Sequence, residues 1–289
     1  MTEWTQWPSW RRLIAITRAP AGRSAAATGA LAAGSLADLV DALARYAPEG
    51  YPDAVDAIAD ELLRNCASVA PLVVLANAVH LALGKGPEAV AAELRETERR
   101  MAASTALIAS VGAGLIEDGF IVLTHGGSGS VQAMLVRAAE DRRFFVSCAA
   151  TLPTGEGIEL AADLAAAGLS VEVTSDDESF EVLADADLMV VGADALGPSQ
   201  VMSTVGTAAL AAEARELEVP FYVLAAMDKA LPSLLFDRAE KAGRLDGRYE
   251  AWPLSQVTAV ITETGVIDSA AAGRLAAERQ ISPDLLTFD

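Results

Sequence analysis

Apolar positions along this chain repeat with two periods, and the period changes near residue 117. Upstream, Leu36, Leu39, Val40, Leu43 and Tyr46 recur with the spacing of one helix face, and Ser35 is placed to cap that helix. Val55, Ile58, Leu62 and Leu63 form a second stripe. Residues 67–83 are apolar almost all round and stop at Gly84 and Gly86, which predicts a buried third helix. A fourth helix is expected over 87–111, with Glu93, Arg95, Glu96, Glu98 and Arg99 on its wet side and Gly112 and Gly114 ending it. No strand-like alternation occurs in this half.

Downstream of Gly119, short β-rich runs recur at 120–124, 144–148, 170–174, 188–191, 221–224 and 258–262. Most are continuously apolar, as strands covered on both faces are. Ala-rich amphipathic stretches lie between them at 131–140, 157–167 and 207–217. Strand, helix, strand at these spacings predicts a parallel sheet with crossover helices. The chain is therefore expected to be α/β: residues 1–117 an N-terminal helical domain, residues 118–289 a doubly wound parallel-sheet domain. Ligands of such sheets bind beyond the carboxyl ends of the strands.

Composition narrows the partners. The 289 residues carry 40 acidic and 21 basic side chains, a formal net charge of −19. Gripping nucleic acid over a broad surface needs clustered Lys and Arg, so direct nucleic-acid binding is not expected. Only Lys85, Lys229 and Lys241 are lysines. An acidic, Lys-poor, Ala-rich chain fits a halophile's high-salt cytoplasm, or equally a GC-rich coding bias with an acidic surface. Cys66 and Cys148 lie too far apart for a CxxC pair, and His80 and His125 are the only imidazoles, so neither a disulfide framework nor a metal site is expected. No cofactor is implied. The first twelve residues lack the apolar core of a signal peptide. No apolar run is expected to reach the length of a membrane span, residues 67–83 coming closest. These features lead to the expectation of a cytoplasmic protein.

Candidate chemistry lies at the strand ends. The first strand runs into Thr124-His125-Gly126-Gly127-Ser128-Gly129-Ser130 and a helix follows. Bare N–H groups of Gly126, Gly127, Ser128 and Gly129 at a helix N-terminus suit a phosphate; the alternative is a tight turn with a capping serine. The spacing fits neither a Walker A nor a GxGxxG fingerprint. Asp194 ends the fourth strand after Gly192 and Ala193. A carboxylate there suits proton transfer, burial would raise its pKa, and the small neighbours leave room for a ligand; capping of the next turn is the alternative. Gly206 and Thr207 open another helix and offer further N–H donors. Lys229, after the fifth strand, either pairs with a phosphate or sits exposed in a loop. Arg23 either reaches a phosphate between domains or lies on the surface. His125 reads as a structural hydrogen bonder more than a proton carrier, and Cys148 stays unassigned.

Taken together, Leu123-Thr124-His125, Gly192-Ala193-Asp194, Val205-Gly206-Thr207, 219–225 and 253–263 resemble, in order and spacing, the translation initiation factor 2B alpha/beta/delta family. That family includes ribose-1,5-bisphosphate isomerase and methylthioribose-1-phosphate isomerase. The resemblance spans nearly the whole chain. It implies a helical domain followed by a Rossmann-like domain, assembled as dimers or higher oligomers, with a translation-factor partner among the family's roles.

In the isomerase members, the resemblance implies, a Cys after the Thr-His and the Asp of Gly-Ala-Asp move the proton that shifts a sugar carbonyl from C1 to C2. Here the Asp is Asp194, but the Cys position is Gly126. Two Arg-Pro positions are Ala70-Pro71 and Leu152-Pro153, and the Asn-Lys position is Ser203-Thr204. One proton carrier and several cations are thus replaced. The expectation is a non-catalytic regulatory or ligand-sensing initiation-factor-2B-subunit-like protein, a homo-oligomer that binds a phosphorylated small molecule. An isomerase with an altered ribose phosphate substrate, Asp194 its acid/base, is the alternative.

Overall fold

The structure, a computed structural model, describes residues 3–18, 24–245 and 247–286. It forms two compact units, Met1–Ala103 with Arg279–Asp289, and Ser104–Glu278. The first unit is built on helices α1 (Pro8–Arg18), α2 (Ala25–Tyr46), α3 (Tyr51–Asn65), α4 (Ala70–Leu83) and most of α5 (Pro87–Ala113). The division falls inside α5, upstream of residue 117, and the C-terminal segment rejoins the helices. Asn77 holds that segment. This buried amide on α4 donates to the Gln280 carbonyl at 2.8 Å and accepts from the Ser282 N–H at 2.9 Å.

Two helix expectations are corrected. Helix α2 begins ahead of Ser35, because the Ala-rich residues before it are strong helix formers. Its cap is Ser24, which accepts the Ala27 N–H at 3.2 Å; Ser35 is buried in mid-helix. Secondly, α2 is long and apolar enough, by length and composition, to cross a membrane. Its Leu36, Leu39, Val40 and Leu43 are fully buried in this unit, as in a core helix. Gly29 lets it approach α4, since a Cβ there would lie 2.8 Å from Pro71 Cβ.

The second unit alternates strands and helices. In chain order they are β1 (Ile121–Thr124), α6 (Gly129–Ala139), β2 (Phe145–Ala149), α7 (Glu156–Ala166), β3 (Ser170–Thr174), α8 (Ser179–Asp185) and β4 (Leu188–Gly192). There follow β5 (Ala195–Leu196), β6 (Gln200–Thr204), α9 (Thr207–Glu216), β7 (Phe221–Leu224), α10 (Ser233–Leu245), β8 (Tyr249–Pro253), β9 (Ala259–Thr262), β10 (Gly265–Ile267) and α11 (Ser269–Ala277). All six predicted strands form and stand in one sheet of order β10-β9-β7-β4-β1-β2-β3. Every pairing is parallel except that of β10. Apolar side chains fill both faces: Val122, Val146 and Val190 on one side, Leu123, Met189 and Val191 on the other.

The chain leaves β1 toward β2 on one side and later returns to place β4 on its other side. The crevice between the carboxyl ends of β1 and β4 is therefore the topological switch point, where such sheets bind ligands. A second, antiparallel sheet of order β5-β6-β8 lies beyond β4 in the chain, and the sequence pattern missed it. Trp252 of β8 anchors it, 1% exposed, stacked on Phe221 at 5.5 Å and donating from Nε1 to Ser203 Oγ at 2.8 Å.

Candidate functional site

Loops from β1, β2, β4 and β6 meet at the switch point. Gly126 follows β1 with a left-handed φ of +80°, a conformation that glycine adopts without a Cβ penalty. A Cβ on it would also lie 2.8 Å from Thr204 Oγ1. The position where the family resemblance implies a thiol is thus closed twice, by backbone conformation and by the Thr204 hydroxyl. Ser128 caps α6, accepting the Val131 N–H at 3.3 Å, and Gly129 is the first residue of that helix. The room beside Gly192 is taken by Ser128, whose Cβ would lie 2.6 Å from a Cβ on Gly192. A role for Gly192 in opening space for a ligand is therefore corrected to one of close loop packing.

Three of the donors expected to hold a phosphate, Gly126, Gly127 and Gly206, already have acceptors. Gly126 donates its N–H to Thr151 Oγ1 at 3.0 Å. Gly127 donates to Glu156 Oε2 at 3.3 Å, and Thr204 Oγ1 approaches the same carboxylate oxygen at 3.5 Å. At α9, Gly206 and Ala208 both donate to Glu250 Oε1, at 2.8 and 2.9 Å. Internal carboxylates thus take up the Gly127 N–H ahead of α6 and the Gly206 and Ala208 N–H groups at α9, as an external anion would.

The β2–α7 loop that delivers Glu156 is fixed at several points. Thr151 holds a positive φ of 60° and donates from Oγ1 to the Ala149 carbonyl at 3.0 Å. Asp176 accepts the N–H groups of Thr151 and Leu152 at 2.6 and 2.8 Å. Gly157 allows α7 to start against the end of β2, because a Cβ there would lie 2.8 Å from the Ala149 carbonyl carbon. Gly157→Ala is expected to lower the unfolding free energy by about 1–3 kcal/mol through overpacking, as read by urea titration. A loss within error of zero would mean the loop tolerates a shift of α7.

Asp194 and Lys229 form the floor of the site. Each is half-buried. Burial, with the Glu156 charge adding to it, pushes the Asp194 carboxyl up to about 6, against the opposing pull of Lys229 and Arg248. Lys229 donates from Nζ to the Ala193 carbonyl oxygen and is electrostatically coupled to Asp194. Burial pulls the Lys229 ammonium below its ordinary pKa, and Asp194 opposes that. Lys229 is therefore neither an exposed loop lysine nor wholly free for a ligand.

His125 is a buried hydrogen bonder. Thr207 Oγ1 donates to the Thr204 carbonyl at 2.7 Å, so at 3.0 Å it accepts from His125 Nδ1–H. This assigns the proton to Nδ1 and turns Nε2 toward Gly206. Burial lowers the imidazole pKa, although Asp176, Glu250 and Glu156 oppose it. Burial pushes the Cys148 thiol up to about 12, which leaves it a core hydrophobe.

Gly126, Gly127, Ser128, Asp194, Gly206, Thr207 and Lys229 are thus gathered at neighbouring strand ends, while Arg23 lies outside the described residues. Sequence reasoning passed over Thr151, Glu156, Asp176 and Glu250, and took Thr204 only as part of a replaced family position. The signal for Glu156 was present: an acidic residue beside Gly155 and Gly157 after a predicted strand, where a helix starts.

Comparison with known proteins agrees with this architecture. The model of the Initiation factor 2 subunit family matches residues 63–269. An eIF-2B subunit 2-like protein of Pyrococcus horikoshii is 30% identical over 227 residues, 74% of this chain and 81% of that one. The ribose 1,5-bisphosphate isomerase of Haloterrigena turkmenica is 32% identical over 186 residues, 61% of this chain and 57% of the isomerase. The crystal structure of Pyrococcus horikoshii translation initiation factor eIF-2B superposes with a TM-score of 0.73 at 26% identity, covering 89% of this chain and 96% of that one. With most of its length matched by the family model and both units folded in the order the family resemblance implies, the chain belongs to the Initiation factor 2 subunit family.

Proposed function

We propose that this protein is a non-catalytic, initiation-factor-2B-subunit-like regulator whose switch-point crevice senses a phosphorylated small molecule. The observation that carries the reading is Gly126, a left-handed glycine closed by Thr204 at the place of the isomerases' thiol. Acid–base catalysis contributes roughly 10²–10⁴-fold and needs both proton carriers within hydrogen-bond reach. Asp194 alone does not meet that need. The crevice is also poor in cations, with Lys229 tied to Ala193 and with Glu156 and Glu250 adding negative charge. In this reading the protein works as a cytoplasmic homo-oligomer, with a translation factor as its partner.

The alternative is an aldose–ketose isomerase with an altered ribose phosphate substrate. It is favoured by one observation, a strand-end carboxyl held at about 6 and coupled to the Glu156 carboxylate, which would then take the thiol's part. A turnover assay with ribose 1,5-bisphosphate and methylthioribose 1-phosphate separates the two. The regulator reading expects wild type and Asp194→Asn to be equally inactive. Conversion by wild type that Asp194→Asn abolishes would establish the isomerase.

A further inference from the structure

We infer that Glu156 is a resident competitor for the phosphate site: its carboxylate occupies the Gly126–Ser128 loop in the ligand-free protein and must leave for a phosphate to bind. The inference rests on the phosphate-sensing reading above and concerns how that site is regulated.

The geometry supplies the argument. Glu156 Oε2 accepts the Gly127 N–H at 3.3 Å and lies 3.5 Å from Thr204 Oγ1. Both lengths are at the long end of hydrogen bonding, so the carboxylate is held weakly compared with a well-made charge-assisted bond. Glu156 is also the first residue of α7, so its charge is favoured there by the helix N-terminus whether or not it touches the loop. Two stabilising arrangements are therefore open to the side chain. One crosses to Gly127; the other turns outward and leaves the N–H exposed. A phosphate at the loop needs the second, because two anions on one donor repel in a partly buried site.

The neighbouring groups fit a device of this kind. Gly126 N–H is anchored to Thr151, which Asp176 locks in place, so the loop backbone stays fixed while Glu156 moves. Glu250 differs: it accepts the Gly206 and Ala208 amides at the entrance of α9 at ordinary lengths and acts as a cap. Ligand binding thus exchanges an internal anion for an external one. The displaced α7 entrance is the part of the structure that reports it.

The test is isothermal titration of the full-length protein with inorganic phosphate and with ribose 1,5-bisphosphate at constant ionic strength. Glu156→Ala is expected to bind both at least about tenfold more tightly than wild type. Glu156→Gln keeps an acceptor and loses the charge, and an intermediate gain is expected. Glu159→Ala, exposed in the same first turn of α7, removes the same charge away from the loop and should change affinity less than about twofold. Binding to wild type with no gain in Glu156→Ala, or an equal gain in Glu159→Ala, overturns the competitor role and leaves the ligand reading standing. No binding by wild type or by any variant overturns both. Circular dichroism of each variant verifies the fold, and Glu156→Gln carries the test if Glu156→Ala does not fold.

Discussion

Trp252→Ala is expected to lower the unfolding free energy by about 3–5 kcal/mol, the range for deleting a buried large aromatic side chain. Trp252 is 1% exposed and stacked on Phe221, so its removal opens a cavity between β8 and the main sheet. It also leaves the buried Ser203 hydroxyl without its Nε1–H donor. The consequence reaches the site, because β6 carries Thr204 and β8 carries Glu250, two of the groups that line the loops. Trp252→Phe keeps the stacking and loses the hydrogen bond, and is expected to cost about 1–2 kcal/mol. Chemical denaturation of the two variants reads both values. Equal losses would mean that the hydrogen bond, and not the ring, holds the small sheet.

The second large effect is on pH dependence. Asp194 rises from an ordinary 3.8 to about 6 in the folded protein, so the native state binds this proton more tightly than the unfolded chain does. Its contribution to stability is therefore fully present below about pH 4 and is lost as pH rises through about 6. A shift of this size corresponds to about 3 kcal/mol at most. The difference in unfolding free energy between wild type and Asp194→Asn is expected to move by about 2–3 kcal/mol between pH 3.5 and 7.5, against the wild type as pH rises. A flat difference across that window would show that Asp194 is not desolvated in the crevice.

The fold was largely legible because its signal is periodic. Five of the six main strands are short, largely apolar runs buried on both faces, and the edge strand β3 alternates valine with polar residues. The second sheet was not legible. Strand β5 has two residues, and β6 and β8 mix polar with apolar positions, with Val201, Met202 and Trp252 the buried apolar ones. Strand β10 was missed because it has only three residues, Gly265–Ile267, too few for a periodic mark. The start of α2 was misplaced because alanine-rich segments carry helix propensity without a stripe.

At the site, the sequence pointed to strand ends that the sheet topology brings together at the switch point. What it could not yield was occupancy. Glycine-rich loops at helix entrances attract anions, but the nearest anion is a side chain 29 positions along from Gly127, brought there by Gly157 and the locked Thr151. Glu250 reaches Gly206 across 44 positions in the same way. Such pairings depend on loop geometry that carries no periodic mark in the sequence. Gly126 was the reverse case: its identity alone removed the thiol, and its left-handed φ explains why the position is comfortable for glycine.

The most direct test of the account is a time course of C1-labelled ribose 1,5-bisphosphate with stoichiometric protein, followed by carbon-13 NMR. The proposed regulator reading predicts that the aldose signal persists and that no C2 ketose accumulates above a protein-free control. Ketose formation by wild type that disappears in Asp194→Asn would contradict the account and make the Asp194–Glu156 pair catalytic.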